Sequence, residues 1–382
     1  MAKIAILAGE ASGDLIAGQL MSYLNKKIKN IQFVGVGGPL MKKEGLTSLF
    51  DYSELSIHGY FEAYRNLFRL LSLRAKVINY LLEEKPNIFI GIDLPDFNFR
   101  IEKVLKKNNI RIFHYVAPSV WAWRKNRIFT IKKNIDHLFT VFPHESKIFK
   151  KAKVPVTFVG HPLANKIPIN PKIKNTRKKL NLPNSKIITL LPGSRISEIK
   201  NNFDLMFNSA ILINKEFLWN KIKKPQFVIP VNSKNNYDFI VRRLNRSNKN
   251  LNNIKLIIGH SHDAICASDF VISVSGTATL EAALFKKPMI IVYKTSLISW
   301  FMLKKLILIP YIGLPNILLK KFIVPELLQR NATPENISMK TIEIMQDKKL
   351  QTNLKTIFKE LHINLKKNTA EIIYKKINNY LK

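Results

Sequence analysis

Two acids stand just past a run of apolar residues in Gly91-Ile92-Asp93-Leu94-Pro95-Asp96-Phe97-Asn98. A carboxylate placed there can act as a general base, taking a proton from an attacking hydroxyl. Either acid can equally cap the next helix, and for Asp96 that is the better reading. In the second half, Phe270–Val274 runs into Ser275-Gly276-Thr277-Ala278-Thr279-Leu280-Glu281. A small turn opening a helix exposes backbone N–H groups and the positive end of the helix dipole, and both favour a phosphate. Glu281, one turn in, is spaced to accept hydrogen bonds from ribose hydroxyls. Leu190-Leu191-Pro192-Gly193-Ser194-Arg195 is a second strand-to-helix loop, and its Arg195 offers a planar fork for a diphosphate. Taken singly, each loop also fits an ordinary capped turn or a surface salt bridge. Two such loops in one domain favour the nucleotide reading.

Other motifs exclude more than they assign. No Gly-Lys-Ser/Thr follows either loop, so neither is a Walker loop. Gly9-Glu10-Ala11-Ser12-Gly13-Asp14 and Gly35-x-Gly37-Gly38-Pro39 both miss the dinucleotide spacing, which disfavours an NAD-linked oxidoreductase. Pro118-Ser119-Val120-Trp121-Ala122-Trp123-Arg124 offers aromatic surfaces and a cation, although two Trp so close together more often form a packed corner. His260, His262 and Asp263 form the one histidine cluster; a loop touching a nucleotide base is expected there, and no metal. Tyr60 to Leu82 is amphipathic, with Tyr60, Phe61, Tyr64, Leu67, Phe68 and Leu71 interspersed with Arg65 and Arg69. It suits either a membrane interface or a core helix with snorkelling cations. Trp300 to Leu319 poses the same choice.

Short β-branched runs and helical patterns alternate to position these loops. Lys3–Ala8, Ile31–Val36, Asn87–Ile92, Ile110–Val116, His137–Phe142 and Val154–Val159 read as buried strands. Between the first two, Ile16, Leu20, Tyr23 and Leu24 recur at helical spacing behind Ser12 as N-cap. After the polar, Pro-containing stretch 162–183, a second series follows: Lys186–Leu191, Gln226–Val231, Lys255–Ile258, Phe270–Val274 and Pro288–Tyr293. Such alternation implies two doubly wound parallel sheets covered by helices. The last fifty or so residues are helical and basic. Ligands in open parallel sheets sit beyond the carboxyl ends of the strands, so two facing units would share a cleft.

A chain of 382 residues accommodates two domains with separate cores. Its single cysteine, Cys266, excludes an internal disulfide and a thiolate cluster. The apolar start is too short for a signal peptide, and no apolar run approaches the ~20 residues needed to span a bilayer. The net charge of +36, from 62 Lys and Arg against 26 Asp and Glu, favours anionic partners. The basic residues are scattered rather than striped. Nothing resembles a zinc finger, an RNA-recognition aromatic motif or a helix-turn-helix, so nucleic acid is not expected as a partner.

Together these motifs resemble one family, bacterial lipid-A-disaccharide synthase. The similarity runs from Ala8–Asp14 through Gly91–Asn98, His114–Arg124, Phe158–Pro162, Leu191–Arg195 and Leu314-Pro315-Asn316 to the helical C-terminus. It implies the glycosyltransferase-B architecture: an α/β fold of two Rossmann-like, doubly wound domains facing a central cleft. Residues 1–165 would form the acceptor and lipid side, 166–330 the UDP-sugar side, and 331–382 helices packing back on the first domain or on a partner subunit. The implied reaction joins UDP-2,3-diacylglucosamine to 2,3-diacylglucosamine 1-phosphate (lipid X), giving the β-1′,6-linked disaccharide and UDP with inversion and without a cofactor or metal. On that resemblance Asp93 would be the base. Gly193, Ser194, Arg195, Ser275, Gly276, Thr277, Glu281, Asn316 and Gln329 would hold the donor, and Ser12, Gly13, Asp14, Ser119, Trp121 and Arg124 would line the acceptor side. Because both substrates carry acyl chains, the resemblance favours a membrane-facing patch at Tyr60–Leu71. The chain would then sit on the cytoplasmic side of the inner membrane, against an anionic surface. Family members exchange C-terminal segments, which allows a homodimer.

Two rivals remain from the sequence. A UDP-sugar epimerase of similar two-domain shape would need no acyl-chain surface. A non-catalytic nucleotide or nucleic-acid binder would show strongly salt-dependent binding.

Overall fold

Runs of Ile, Val, Phe and Leu, flanked by glycine and polar turns, form thirteen strands among the described residues, all paired in parallel in two sheets. In this computed structural model the described residues are 2–55, 67–121, 124–220, 223–247, 251–296, 300 and 309–381. The first sheet holds β1 (Ala2–Ala8), β2 (Ile31–Gly37), β3 (Leu46–Asp51), β4 (Ile88–Ile92), β5 (Arg111–Tyr115), β6 (His137–Thr140) and β7 (Val156–Phe158), in the order β3-β2-β1-β4-β5-β6-β7. The second holds β8 (Ile187–Leu191), β9 (Gln226–Val231), β10 (Ile254–Ile258), β11 (Phe270–Val274), β12 (Met289–Tyr293) and β13 (Glu326–Leu328), ordered β10-β9-β8-β11-β12-β13. Helices cover both faces of such sheets, so the central strands are buried along their whole length instead of alternating. β4, β8 and β11 have no exposed residue. Burying each large side chain such as Phe89, Phe139 or Phe227 contributes about 1.5–3 kcal/mol.

The strand order reverses between β1 and β4 in the first sheet, and between β8 and β11 in the second. At such a switch point the two neighbouring loops diverge to opposite faces and leave a crevice. The loops carrying Gly9 and Asp93 flank the first, and those carrying Arg195 and Gly276 flank the second.

The chain forms two compact units, one of Met1–Asn165 with Leu365–Lys382, the other of Lys166–Asn364. The helices expected from 331 onward are therefore divided. Pro334–Gln346 packs on the helix Ile196–Trp219 in the second unit, whereas Thr369–Ile377 packs on Ala11–Lys27 in the first. Its Ile373 and Ile377 are fully buried. His161 N–H donates to Leu365 O at 2.9 Å, and Thr369 Oγ1 donates to Val159 O at 2.7 Å. Gly160 makes this junction possible. Its φ is +85°, and a Cβ there would stand 2.7 Å from Lys367 Cβ and 2.8 Å from Leu365 O. Gly160→Ala should therefore cost the first unit about 2 kcal/mol or more, from left-handed strain and displacement of the returning segment. Thermal unfolding would show it as a lowered midpoint, and an unchanged midpoint would mean the segment is not structural.

Candidate functional site

In the second unit, the two loops at the β8/β11 switch point line one cavity of about 550 Å³. That volume lies within the range of small-molecule sites. Gly193, Ser194, Arg195, Ser275, Gly276, Thr277 and Glu281 all contribute to its wall. The helix Thr277–Leu284 starts at Gly276 without a side-chain cap, so the positive end of its dipole stays open toward the cavity. Ser275 Oγ donates to Ile312 O at 2.7 Å, anchoring the turn from behind.

The loop after β8 works differently. Glu198, three residues past Arg195 at the capping-box spacing, accepts the N–H of Ser194 at 3.0 Å and that of Arg195 at 3.4 Å. Asn232 and Asn236 both donate to Ser194 O at 3.0 Å. The turn's own amides are thus satisfied internally, and what the loop presents is the exposed Arg195 side chain, which forms no ion pair among the described residues. Gly193, at φ +130°, leaves the space Glu198 occupies. Glu281 Oε2 lies 3.4 Å from His262 Nε2, so this segment does reach the wall. His262 and Asp263 stand in the first turn of the helix Ser261–Ala267, however, and not in the loop expected there. Asp263 itself pairs with Lys179 at 2.6 Å and His260 at 3.0 Å.

Two residues expected on the donor side do not line the cavity. Asn316 is fully buried; its Oδ1 accepts from Ile323 and Val324 N–H, and its Nδ2 donates to Val324 O and Glu326. It folds the 316–326 loop. Gln329, at φ +48° after β13, accepts from Thr295 N–H at 3.4 Å.

In the first unit, Asp93 stands at the carboxyl end of β4. It and Leu94 both adopt left-handed backbone, at φ +49° and +46°. Asp93 N–H donates to Tyr115 O at 2.9 Å and Asn98 Nδ2 to Asp93 O at 2.8 Å, which fixes the turn. The Asp93 side chain stays open to solvent while protein crowds around it. Burial consequently pushes its carboxyl up, and His114 pulls partly against that. Gly9 accommodates Leu94, since a Cβ on Gly9 would overlap the Leu94 side chain.

Several expected acceptor-side residues have other duties. Ser12 is exposed inside the first helical turn, and the N-cap is Glu10, because the helix starts at Ala11. Gly13 lets that helix approach Ala8. Asp14 is buried and accepts the N–H groups of Gly38, Leu40 and Met41 at 2.9–3.0 Å, so its carboxylate organises the loop after β2. Ser119 is half-buried. Trp121 is a packed corner: Nε1 donates to Glu145 at 3.2 Å and its ring meets His144 edge-on at 5.0 Å. Arg124 pairs with Asp96 at 3.2 Å, and Arg127 joins the same carboxylate. Asp96 is therefore a first-turn acid under two arginines.

Sequence reasoning missed Glu145 and His161 at the ends of β6 and β7. Glu145 caps its helix through Phe142 N–H, and burial pushes its carboxyl up to about 8. His161 accepts from Leu163 N–H through Nδ1 at 3.2 Å, stacks on Phe142, and is pushed by burial down to about 4. Between pH ~6.5 and 4 the unfolded chain binds a proton at this histidine that the folded chain does not, so the first unit loses stability as pH falls. The ring keeps a partly open edge, so the slope should stay below about 1.4 kcal/mol per pH unit. His161→Asn, whose oxygen can replace Nδ1, should flatten urea-unfolding stability across that window. An unchanged slope would discount this histidine.

Of the apolar segment after Leu55, Tyr60, Phe61, Tyr64, Arg65 and the Leu67 side chain lie outside the described residues, as does Trp123. The helix Leu67–Glu84 buries Leu73, Val77 and Leu81 in the core. Its other edge leaves Phe68 83% and Leu71 45% exposed, beside Arg69, which reaches Glu54 at 3.7 Å. Among the described residues no helix is long and apolar enough to cross a membrane.

Comparison with known proteins bears on what these loops serve. A family model described as lipid-A-disaccharide synthetase matches residues 4–377. The lipid-A-disaccharide synthase of Methylobacillus flagellatus is 40% identical over 385 aligned positions, covering 100% of both chains. That of Wigglesworthia glossinidia brevipalpis is 43% identical over 371 positions, 96% of this chain and 94% of its own. Among solved structures, the UDP-GlcNAc 2-epimerase from Neisseria meningitidis bound to UDP-GlcNAc aligns with TM-score 0.64 at 14% identity, over 99% of this chain and 100% of that one. MurG of Acinetobacter baumannii aligns with TM-score 0.58 at 12% identity, over 99% and 100%. These two likenesses speak for the glycosyltransferase-B fold alone. The family match, by contrast, spans both sheets and both switch-point loop pairs, and the chain belongs to the lipid-A-disaccharide synthetase family, glycosyltransferases of lipid A biosynthesis.

Proposed function

We propose that this chain condenses UDP-2,3-diacylglucosamine with 2,3-diacylglucosamine 1-phosphate, releasing UDP and forming the β-1′,6-linked disaccharide 1-phosphate with inversion. The observation carrying this reading is the shared cavity at the β8/β11 switch point, where an uncapped helix N-terminus, Arg195 and Glu281 meet. Asp93 takes the proton of the acceptor's 6-hydroxyl, whose oxygen forms the new bond to C1 of the donor. The bond from C1 to the diphosphate breaks, and UDP departs with the electron pair. Negative charge then develops on the diphosphate, where the N-terminus of Thr277–Leu284 and the Arg195 guanidinium stabilise it. Glu281 holds the ribose.

Acylated substrates reside at a bilayer. The exposed Phe68 and Leu71 edge and the net charge of +36 suit peripheral contact with the anionic cytoplasmic face of the inner membrane. A mass-spectrometric assay supplying both acylated sugars tests the proposal: appearance of the disaccharide together with release of UDP supports it. Epimerisation of the donor without coupling would overturn it.

A further inference from the structure

A buried pair of ionisable side chains lies close to the Asp93 turn and takes no part in the chemistry described so far. His114, on β5, places Nδ1 2.6 Å from Glu102 Oε1 on the helix Pro95–Lys107, and both residues are fully buried. Gly91 of β4 is in register opposite His114. A Cβ on Gly91 would stand 2.5 Å from Glu102 Oε1 and 3.2 Å from His114 Nδ1, so the strand leaves out a side chain where the pair sits. Burying two ionisable groups costs desolvation that an apolar pair of equal volume avoids. His114 Nε2, Glu102 Oε2 and Asn98 Oδ1 are moreover buried without a hydrogen-bond partner among the described residues.

Its connections lead to the Asp93 turn. Tyr115, the residue after His114, accepts the Asp93 N–H, and Asn98, one helical turn before Glu102, holds the Asp93 carbonyl. We infer that Glu102 and His114, seated against Gly91, are positioning residues that act on the reaction through Asp93. Glu102 orients the imidazole by accepting from Nδ1, and the ring favours the ionised form of the Asp93 carboxyl. The helix Pro143–Lys151 brings Glu145 toward Asp93; the Glu145 carboxyl is pushed up chiefly by burial and, to a lesser degree, by the Asp93 charge. Asp96, on the same helix as Glu102, is occupied by Arg124 and Arg127. The Phe99 ring packs against His114 at 5.4 Å.

This inference rests on Asp93 as the base. The test replaces the pair by apolar side chains, Glu102→Leu with His114→Phe, a change that typically preserves folding; His114→Gln serves as a second variant. In the disaccharide assay, the acid limb of kcat should move up by ~1 pH unit while KM for the UDP-sugar holds. Activity would then fall several-fold more at pH 6 than at pH 8.5. An unmoved acid limb, with activity either intact or lowered equally at every pH, would overturn the inference. Asp93→Asn, assayed alongside, separates the two ideas. Wild-type turnover there sinks the base assignment itself, whereas lost turnover with an unmoved limb in the pair variants sinks only the inference.

Discussion

Asp93→Asn should bind UDP as the unaltered chain does and lose about 10²–10⁴-fold in turnover. The substitution is isosteric, and the two bonds that fix the turn, Asp93 N–H to Tyr115 O and Asn98 Nδ2 to Asp93 O, use only main-chain atoms of residue 93. The left-handed turn at 93 and 94 should survive, since Asn tolerates that conformation at least as well as Asp. What disappears is the proton acceptor. Burial pushes the Asp93 carboxyl up, which makes it a stronger base once ionised but requires a higher pH to ionise it. The remaining wild-type signature is therefore an acid limb in kcat lying above the usual carboxylate range, absent from Asp93→Asn. Calorimetry with UDP and the disaccharide assay check both halves, and wild-type turnover in the variant would remove Asp93 from the mechanism.

Asp93 and Arg195 were legible in the sequence for a local reason. Each lies in the loop that follows a buried strand, and strand ends are where doubly wound sheets keep their ligands. The edge strands were not legible. β3 is alternately exposed and polar (Leu46-Thr47-Ser48-Leu49-Phe50-Asp51), and the three residues of β13 are only half-buried, so neither gives a continuous apolar run. Structural duties that depend on partners remote in sequence were not legible. Asp14 meets amides 24 to 27 residues away, which turns an expected ligand group into a loop clamp. Asn316 is likewise consumed within its own loop. Glu102, His114 and Glu145 went unnoticed because only the pairing of β4, β5 and β6 brings their segments together. The corner at Trp121 matched the packed reading, and the indole partner, Glu145, lies 24 residues on.

Arg195→Ala should weaken UDP binding by about 10–100-fold, the worth of charge-assisted hydrogen bonds to a diphosphate. Glu198 makes this variant a clean one. Because its carboxylate holds the Ser194 and Arg195 main-chain amides, and Asn232 and Asn236 hold the Ser194 carbonyl, the loop keeps its shape without the guanidinium. The loss would then report the side chain and not a collapsed turn. Binding should not vanish, since the uncapped N-terminus of Thr277–Leu284 still attracts phosphate through its amides and dipole. Turnover should fall further than affinity, because the guanidinium acts most strongly on the charge that develops as the diphosphate departs. Arg195→Lys restores the charge but not the planar fork, so it should recover binding only in part. Titration calorimetry with UDP, repeated at two salt concentrations, checks this: the guanidinium and dipole contributions both shrink as salt rises, while the short-range hydrogen bonds from the helix amides are less affected. An unchanged UDP affinity in Arg195→Ala would remove the guanidinium from the diphosphate site.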